Sequence, residues 1–293
     1  MLKLISATYG DKNVIEILKS RLVNDQIVLN VNNQTFGDPK PGVIKTLVVN
    51  YEHNGVIGTS STVENSVLRL PDVQTDILGI FYTNNSIKPE ILKSSLDSIY
   101  KASIKNPTDI LVSSWENILD SKFPIIKCNV ATRNHFNITY QICQLLATAE
   151  QTKKYKYVAF LEHDVLYGED YFNFDDFEGN VLSNENFIGI NSSGFQSKKQ
   201  PDQPLHQLIL KFDYALEHFK HILFESIVKG INLEPSHNPP YTQRISSQPS
   251  IHVNHGRNFT SHFNIYSKEN YFNDEYWGDS KLLVEKLNLN ISQ

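Results

Sequence analysis

The feature that most constrains the fold is a run of five apolar residues at 157–161 that ends in Glu162, His163 and Asp164. Five residues are too few to span a membrane and are typical of a strand that is buried on both faces. In open α/β sheets, ligands bind at the carboxyl ends of the strands, where the strand order reverses. Glu162 and Asp164 offer the hard oxygen ligands that Mg²⁺ and Mn²⁺ prefer. On its own, however, an acid-x-acid triplet more often does no more than end a strand.

Length and composition allow one large α/β domain, or one such domain with a small module. The chain has 293 residues, of which 40% are hydrophobic, and a net charge of −5. An acidic chain does not attract nucleic acid as a whole, so any polyanion site has to be a local patch. Two cysteines, Cys128 and Cys143, are too few for a disulfide framework and are typical of a reducing compartment. Because no signal-peptide pattern and no membrane-length apolar stretch is found, we expect a cytoplasmic protein.

Residues 1–72 predict a small, mostly-β accessory module. Strand-like segments occur at 2–7, 27–31 and 46–51, with a short helical pattern around Val14 and Leu18. The Asn54-Gly55 pair predicts a hairpin turn between apolar segments. No cluster of histidines, acids or cysteines suggests chemistry here, so the role of this module is left open.

Residues 73–293 predict an α/β domain with a mostly parallel sheet, because strand and helix patterns alternate along them. The predicted strands are 76–82, 109–112, 125–130, 157–161 and 187–190. The predicted helices begin at Pro89, span 138–149, and span 205–228 with Leu208 and Phe212 on an apolar stripe. We expect three histidines of the last helix to be exposed rather than ligands: His206, His218 and His221. The absence of a Gly-x-Gly-x-x-Gly loop or Walker lysine disfavours dinucleotide dehydrogenases and P-loop enzymes.

Two motifs resemble those of GT-A glycosyltransferases, in which one α/β domain binds a nucleotide-sugar through a divalent cation. They are Glu-His-Asp-Val-Leu-Tyr at 162–167 and His-Gly-Arg-Asn-Phe-Thr at 255–260. Together they resemble a bacterial and phage branch that includes glycosyltransferases encoded beside DNA-base hydroxylases. The resemblance covers residues 75–266 and implies a GT-A domain, a UDP-sugar donor and a Mn²⁺ or Mg²⁺ ion. It also implies a 5-hydroxymethylated pyrimidine in DNA as the preferred acceptor, within the host cytoplasm if the chain is phage-encoded.

The resemblance implies roles for individual residues. Asp164 is expected to be the first metal ligand, Glu162 a second ligand or a ribose contact, and His255 the late ligand. Further residues are expected to contact the donor: Tyr82, Thr83, Arg133, His163, Arg257 and Asn258. An inverting enzyme also needs a carboxylate base near its acceptor, and the sequence does not choose among Asp274, Glu275 and Asp279. Duplex DNA would require a local basic rim, for which the candidates are Lys198, Lys199 and Arg244.

Three alternatives remain open at this stage. The acceptor could be a surface glycan or a protein rather than DNA. A metal-dependent phosphohydrolase or nucleotidyltransferase would also use Glu162 and Asp164, but such two-metal sites need further acidic ligands. A carbohydrate-binding or phage structural protein that has lost catalysis would retain the fold and the aromatic-rich C-terminal third.

Overall fold

The computed structural model describes residues 1–23, 25–53, 55–71, 75–118, 121–130, 134–152, 155–194, 204–233, 240–254 and 271–289. The chain divides into two compact units. The first is Met1–Gln74 with Asp120–Pro124, and the second is Thr75–Leu119 with Ile125–Gln293. In the part of the chain that is described, no helix is both long enough and apolar enough to cross a membrane.

The first unit is mostly β, as the sequence predicts. Its elements are β1 (Leu2–Tyr9), β2 (Lys12–Asn13), α1 (Ile15–Lys19), β3 (Ile27–Val31), α2 (Asn33–Phe36), β4 (Thr46–His53), β5 (Val56–Val63) and β6 (Ser66–Leu70). Strands β2, β1, β4 and β5 form one antiparallel sheet in that order, and β3 pairs with β6. His53 lies opposite Val56, which is the register of the predicted hairpin.

The core of the first unit follows from alternation along its strands. In β4, Leu47, Val49 and Tyr51 are buried while the residues between them are partly exposed, as expected when one face of a sheet packs on the core. Lys45, 3% exposed, is held by two ion pairs, to Asp38 Oδ1 at 2.9 Å and to Glu64 Oε2 at 3.1 Å. A buried lysine requires such partners because an unpaired charge in the interior is costly.

The second unit alternates strands and helices. Its strands are β7 (Ile77–Thr83), β8 (Asp109–Ser114), β9 (Ile125–Lys127), β10 (Tyr157–Glu162), β11 (Val165–Leu166), β12 (Val181–Asn184), β13 (Phe187–Ile190), β14 (Leu208–Lys211), β15 (Thr242–Arg244), β16 (Ser250–Val253), β17 (Asn273–Asp274) and β18 (Gly278–Asp279). Its helices are α3 (Pro89–Lys105), α4 (His135–Thr152), α5 (Phe212–Lys229) and α6 (Ser280–Lys286), with a 3₁₀ turn at Leu205–Gln207.

The main sheet of this unit confirms the predicted α/β class. Among the described residues its strands run in the order β15-β12-β14-β10-β7-β8-β9. All neighbours are parallel except β14, which is antiparallel to both β10 and β12. From β7 the chain builds β8 and β9 on one side and then returns to place β10 on the other. The strand order therefore reverses between β7 and β10, which is where open α/β sheets bind ligands.

The central strand is apolar because it is covered on both faces. Residues 157–161 of β10 are all buried. Val158 and Phe160 pack on one face with Ile142 and Leu146 of α4. The ring of Phe160 lies 5.1 Å from the ring of Phe219 of α5, and burying such a side chain stabilises the fold by about 1.5–3 kcal/mol.

The predicted helix over 205–228 is wrong in its first third. Leu208–Lys211 form β14, and α5 begins only at Phe212. The four residues Leu-Ile-Leu-Lys fill the gap between β10 and β12, where backbone pairing and burial on both faces outweigh the helical spacing of Leu208. A short apolar run cannot be assigned to helix or strand from its periodicity alone.

Candidate active site

The carboxyl ends of β7 and β10 bring together residues that lie 80 positions apart. Tyr82 is the register partner of Glu162. The Tyr82 hydroxyl donates a hydrogen bond of 3.0 Å to Glu162 Oε1. Burial and the charge of Glu162 raise the pKa of Tyr82 well above its usual value, so the phenol stays a donor.

The next residues of the two strands also meet. Thr83, at the end of β7, shares a hydrogen bond of 2.7 Å with Nδ1 of His163. The backbone N–H of Asn85 donates to the Thr83 hydroxyl at 3.0 Å, and Gln141 Nε2 of α4 donates to the Thr83 carbonyl at 3.2 Å. Thr83 is thus fixed from three sides, and it holds the His163 ring at the edge of the sheet.

Helix α3 supports the turn that follows Glu162. The Ser95 hydroxyl is placed to donate to the carbonyl oxygens of Glu162 and Val165, at 3.2 and 2.7 Å. The Ser98 hydroxyl accepts the Tyr167 N–H at 3.0 Å, and the Tyr167 hydroxyl accepts the Glu162 N–H at 2.8 Å. These bonds fix the backbone of the acidic triplet, and they explain why two serines are buried on the inner face of α3.

A histidine that the sequence analysis did not select lies against Asp164. His252 of β16 approaches Asp164 with its Nε2 atom 3.3 Å from Oδ2, and the two side chains are only 7% and 9% exposed. The strands place it there, since β11 and β16 are antiparallel and His252 lies opposite Val165. The signal for His252 in the sequence is a single polar residue between two apolar residues of β16, Ile251 and Val253.

The expectation that His206 is an exposed helix residue is wrong. His206 lies in the 3₁₀ turn before β14 and is 1% exposed. Its ring centroid is 5.1 Å from that of His252 and 5.9 Å from that of Phe187. The error follows from the helix assignment, because the residues around His206 do not continue α5. His221, in contrast, is exposed on α5 and His218 is half-buried there.

The buried groups perturb one another electrostatically. Burial and the charge of Asp164 raise the pKa of Glu162 to about 7. Burial alone would lower the pKa of His252, but the negative charges of Asp164 and Glu162 outweigh it, so this pKa is raised. Burial, followed by the neighbouring His252, lowers the pKa of His206 to about 3. A carboxylate whose pKa is raised by burial and by a neighbouring carboxylate marks a site in which a cation is favourable.

The donor set at this edge fits a hard divalent cation in type. Glu162 and Asp164 offer carboxylate oxygens, and an imidazole from the predicted third ligand, His255, would complete a combination that suits Mn²⁺. Within the described ranges, no group of three or more histidine, cysteine, aspartate or glutamate residues is placed to hold a metal. The described residues therefore contribute only part of the predicted shell.

Four predicted donor or metal residues lie outside the described residues: Arg133, His255, Arg257 and Asn258. The three candidates for the catalytic base lie within the described residues. Asp274 Oδ1 accepts the N–H groups of Tyr276 and Trp277, at 2.9 and 2.8 Å. Asp279 caps α6 by accepting the Lys281 N–H at 2.7 Å, and Glu275 is exposed. Asp274 and Asp279 thus each accept hydrogen bonds from backbone N–H groups close to them in the chain. Which of the three carboxylates acts as the base stays a prediction.

The predicted basic rim includes one residue with an internal role. The two terminal nitrogens of Arg244 each donate a 2.7 Å hydrogen bond, one to the carbonyl of Tyr171 and one to that of Asp170. Its guanidinium also lies 5.8 Å from the ring centre of Phe174. Arg244 therefore ties β15 to the loop after β11. Lys198 and Lys199 lie outside the described residues.

No protein family and no curated protein sequence matches this chain. Solved structures with low similarity do match. S. aureus TarS 1-349 has 9% identity and a TM-score of 0.37, with 60% of each chain covered. A glycosyltransferase involved in the glycosylation of the major capsid of PBCV-1 has 10% identity and a TM-score of 0.39, with 60% of this chain and 92% of that chain covered.

A further match is the mannosyltransferase PcManGT from Pyrobaculum calidifontis in complex with GDP-Man and Mn²⁺. It has 10% identity and a TM-score of 0.36, with 63% of this chain and 58% of that chain covered. The present chain thus spans less than two thirds of the TarS and PcManGT chains. At such identities and TM-scores, these likenesses carry no argument about what this chain binds.

Proposed function

We propose that this chain is a metal-dependent glycosyltransferase that moves a sugar from a nucleotide-diphosphate sugar to a hydroxyl acceptor. The observation that carries the proposal is the carboxylate pair of half-buried Glu162 and buried Asp164 at the point where the sheet order reverses, with His252 hydrogen-bonded to Asp164. Sugar transfer builds negative charge on the leaving diphosphate, and a bound cation supplies the positive charge that stabilises it.

The residues at the sheet edge have distinct tasks in this proposal. Asp164 and Glu162, with His255, hold the cation. The carboxyl end of β7, at Tyr82 and Thr83, faces the nucleotide. The Tyr82 hydroxyl orients the Glu162 carboxylate. A two-metal phosphohydrolase is the weaker candidate, because the described residues bring no third acid to this pair.

For the acceptor, the sequence resemblance favours a 5-hydroxymethylated pyrimidine in DNA, whereas charge favours a glycan or protein hydroxyl. The net charge is −5, and Arg244 donates to two carbonyl groups instead of presenting its guanidinium to a phosphate backbone. Duplex binding is driven largely by phosphate neutralisation. Transfer from the best donor to hydroxymethylcytosine DNA, to unmodified DNA and to a simple sugar separates the two acceptor classes.

The donor chemistry is tested by calorimetric titration with UDP and GDP, with and without Mn²⁺, followed by release of the nucleotide diphosphate from a panel of nucleotide-sugars. We expect Mn²⁺-dependent binding in the wild type and its loss in Asp164→Asn, because the amide supplies no charge to a cation. Asp97→Asn is the matched control, since Asp97 pairs with Lys93 on the surface of α3. Equal, metal-independent affinity in all three proteins would contradict the proposal.

A further inference from the structure

The backbone around Asp164 is fixed by the strand that carries His252. The Val253 N–H donates to the Asp164 carbonyl at 2.8 Å, and β16 continues antiparallel to β11, with His252 opposite Val165. On its other side β16 pairs with β13 in parallel, with His252 opposite Gly189. The Cα positions of His252 and Asp164 are therefore set by strand pairing on both edges of β16, independently of any ligand.

The side chains then meet in a place that solvent hardly reaches. Nε2 of His252 lies 3.3 Å from Oδ2 of Asp164, and both groups are less than a tenth exposed. A hydrogen bond to a carboxylate is stronger in such surroundings than in water, because the local dielectric constant is low. The bond requires only a proton on Nε2, which both the neutral Nε2–H tautomer and the imidazolium provide.

The His252 ring is itself held in position from behind. His206 packs against it with ring centroids 5.1 Å apart and an interplanar angle of 43°. His206 is fixed in turn, since the Tyr171 hydroxyl donates to its carbonyl at 2.9 Å and Phe187 packs edge-on against its ring. The buried Tyr171, His206 and His252 thus form a continuous support that ends at the Asp164 carboxylate.

We propose that His252 is a positioning residue, which holds the Asp164 carboxylate in the orientation that binds the cation and, through it, the diphosphate of the donor. This inference rests on the proposed function. A carboxylate has two oxygens, so an Asp164 that gives Oδ2 to His252 can still ligate a metal. Partners that hydrogen-bond to metal ligands orient them, and their loss commonly costs about 10–100-fold in metal affinity or activity.

The role of His252 differs from the one that the sequence analysis gave to His255. His255 is expected to contact the cation itself, whereas His252 acts through its hydrogen bond to the Asp164 carboxylate. A side chain that only donates an N–H can be replaced by an amide of similar reach, but a ligand imidazole cannot. This difference makes the two roles separable by substitution.

The experiment compares His252→Leu, which has no donor, with His252→Gln, whose amide nitrogen reaches close to the position of Nε2. The matched control is His221→Leu, which removes an exposed histidine from α5. The readouts are Mn²⁺ affinity, from the free-ion signal in electron paramagnetic resonance, and UDP affinity at several fixed Mn²⁺ concentrations. We expect His252→Leu to weaken Mn²⁺-dependent UDP binding by about 10–100-fold. We also expect His252→Gln to recover most of this loss and His221→Leu to match the wild type.

Donor hydrolysis gives a second readout that a purely structural role would not produce. The apparent KM for Mn²⁺ should rise in His252→Leu, while kcat at saturating Mn²⁺ stays near that of the wild type. If His252→Leu does not fold, His252→Asn replaces it, because its shorter amide does not reach Asp164.

The outcomes separate this inference from the proposed function. Wild-type affinity in a folded His252→Leu protein would overturn the positioning role, as would a folded His252→Gln protein that loses as much as His252→Leu. If the wild type itself binds no nucleotide diphosphate in a Mn²⁺-dependent manner, the proposed function fails and the role of His252 fails with it.

Discussion

At the scale of single residues, buried His206 makes the free energy of unfolding depend on pH. His206 is held neutral because burial lowers its pKa to about 3, whereas an unfolded chain titrates near 6.5. The contribution of His206 to stability is therefore fully present above pH 6.5 and is lost as the pH falls toward 3. Between these two pH values the unfolded chain binds a proton at His206, whereas the folded chain does not.

We expect His206→Phe to remove this dependence, because a phenyl ring fills the space beside Phe187 and carries no titrating group. The measurement is the free energy of unfolding in urea at pH 7.5, 6.0 and 5.0. The difference between wild type and variant should shift by about 1 kcal/mol for each pH unit below 6.5. His221→Phe, at an exposed position, serves as the control. A slope shared by wild type and His206→Phe would show that His206 is not the group responsible.

The sequence predicts the two acids of the candidate site, but it does not predict the two histidines. Glu162 and Asp164 are visible because they interrupt an apolar strand at its end. His252 and His206 interact with them only through the pairing of β11 with β16 and the turn before β14, which are contacts between residues 40 or more positions apart. The roles assigned to Tyr82, Thr83 and His163 stay predictions, although the structure joins Tyr82 to Glu162 and Thr83 to His163.

At the scale of elements, strands β7, β8, β10 and β13 are well predicted from the sequence, because each is a short, mainly apolar run bounded by polar residues. β14 is missed because its three apolar residues adjoin a true helix and extend the apparent apolar stripe of that helix. The pairing of a short apolar segment with neighbouring strands therefore decides whether the segment forms a strand or part of a helix. Gly79 in β7 gives a direct test of how tightly neighbouring strands pack.

A Cβ atom at Gly79 would overlap Ile110 Cδ1 of β8 and approach Leu161 Cδ1 of β10 to 2.9 Å. Both neighbours are buried, so we expect Gly79→Ala to destabilise the second unit by about 1–3 kcal/mol. Ile110→Val removes the overlapping methyl group, so the double variant should lose less than the sum of the two single variants.

The measurement is urea unfolding of the four proteins in a double-mutant cycle. Ile91→Val on α3 is the control partner, because Ile91 belongs to a separate apolar cluster and should combine additively with Gly79→Ala. Additive losses in the Gly79 and Ile110 pair would mean that the sheet relaxes around the new methyl group.

At the scale of the whole chain, the division into residues 1–72 and 73–293 stays a prediction, and one part of the observed division was not foreseen. The segment Asp120–Pro124 belongs to the first unit although the chain on both sides of it belongs to the second. Asn30 Nδ2 of β3 donates to the Ser121 carbonyl, and Phe123 is buried at 2% exposure. The composition of these five residues does not indicate that they belong to the first unit. A sequence pattern relates residues that are close along the chain, whereas this contact spans 91 positions.

The last prediction concerns a chain that begins at Thr75. The described contacts among Tyr82, Glu162, Asp164, His206 and His252 lie within the second unit, so this shortened chain should keep Mn²⁺-dependent nucleotide binding. It should also be less soluble than the full chain, because Asp120–Pro124 loses the unit to which it belongs and exposes an aromatic ring. Phe123→Ser in the shortened chain should restore solubility without changing affinity, whereas Phe123→Ser in the full chain should lower its melting temperature. The measurements are soluble yield, thermal melting by circular dichroism and calorimetric titration with UDP and Mn²⁺. A shortened chain that is folded but does not bind, next to a full chain that does, would mean that the site needs residues 1–74.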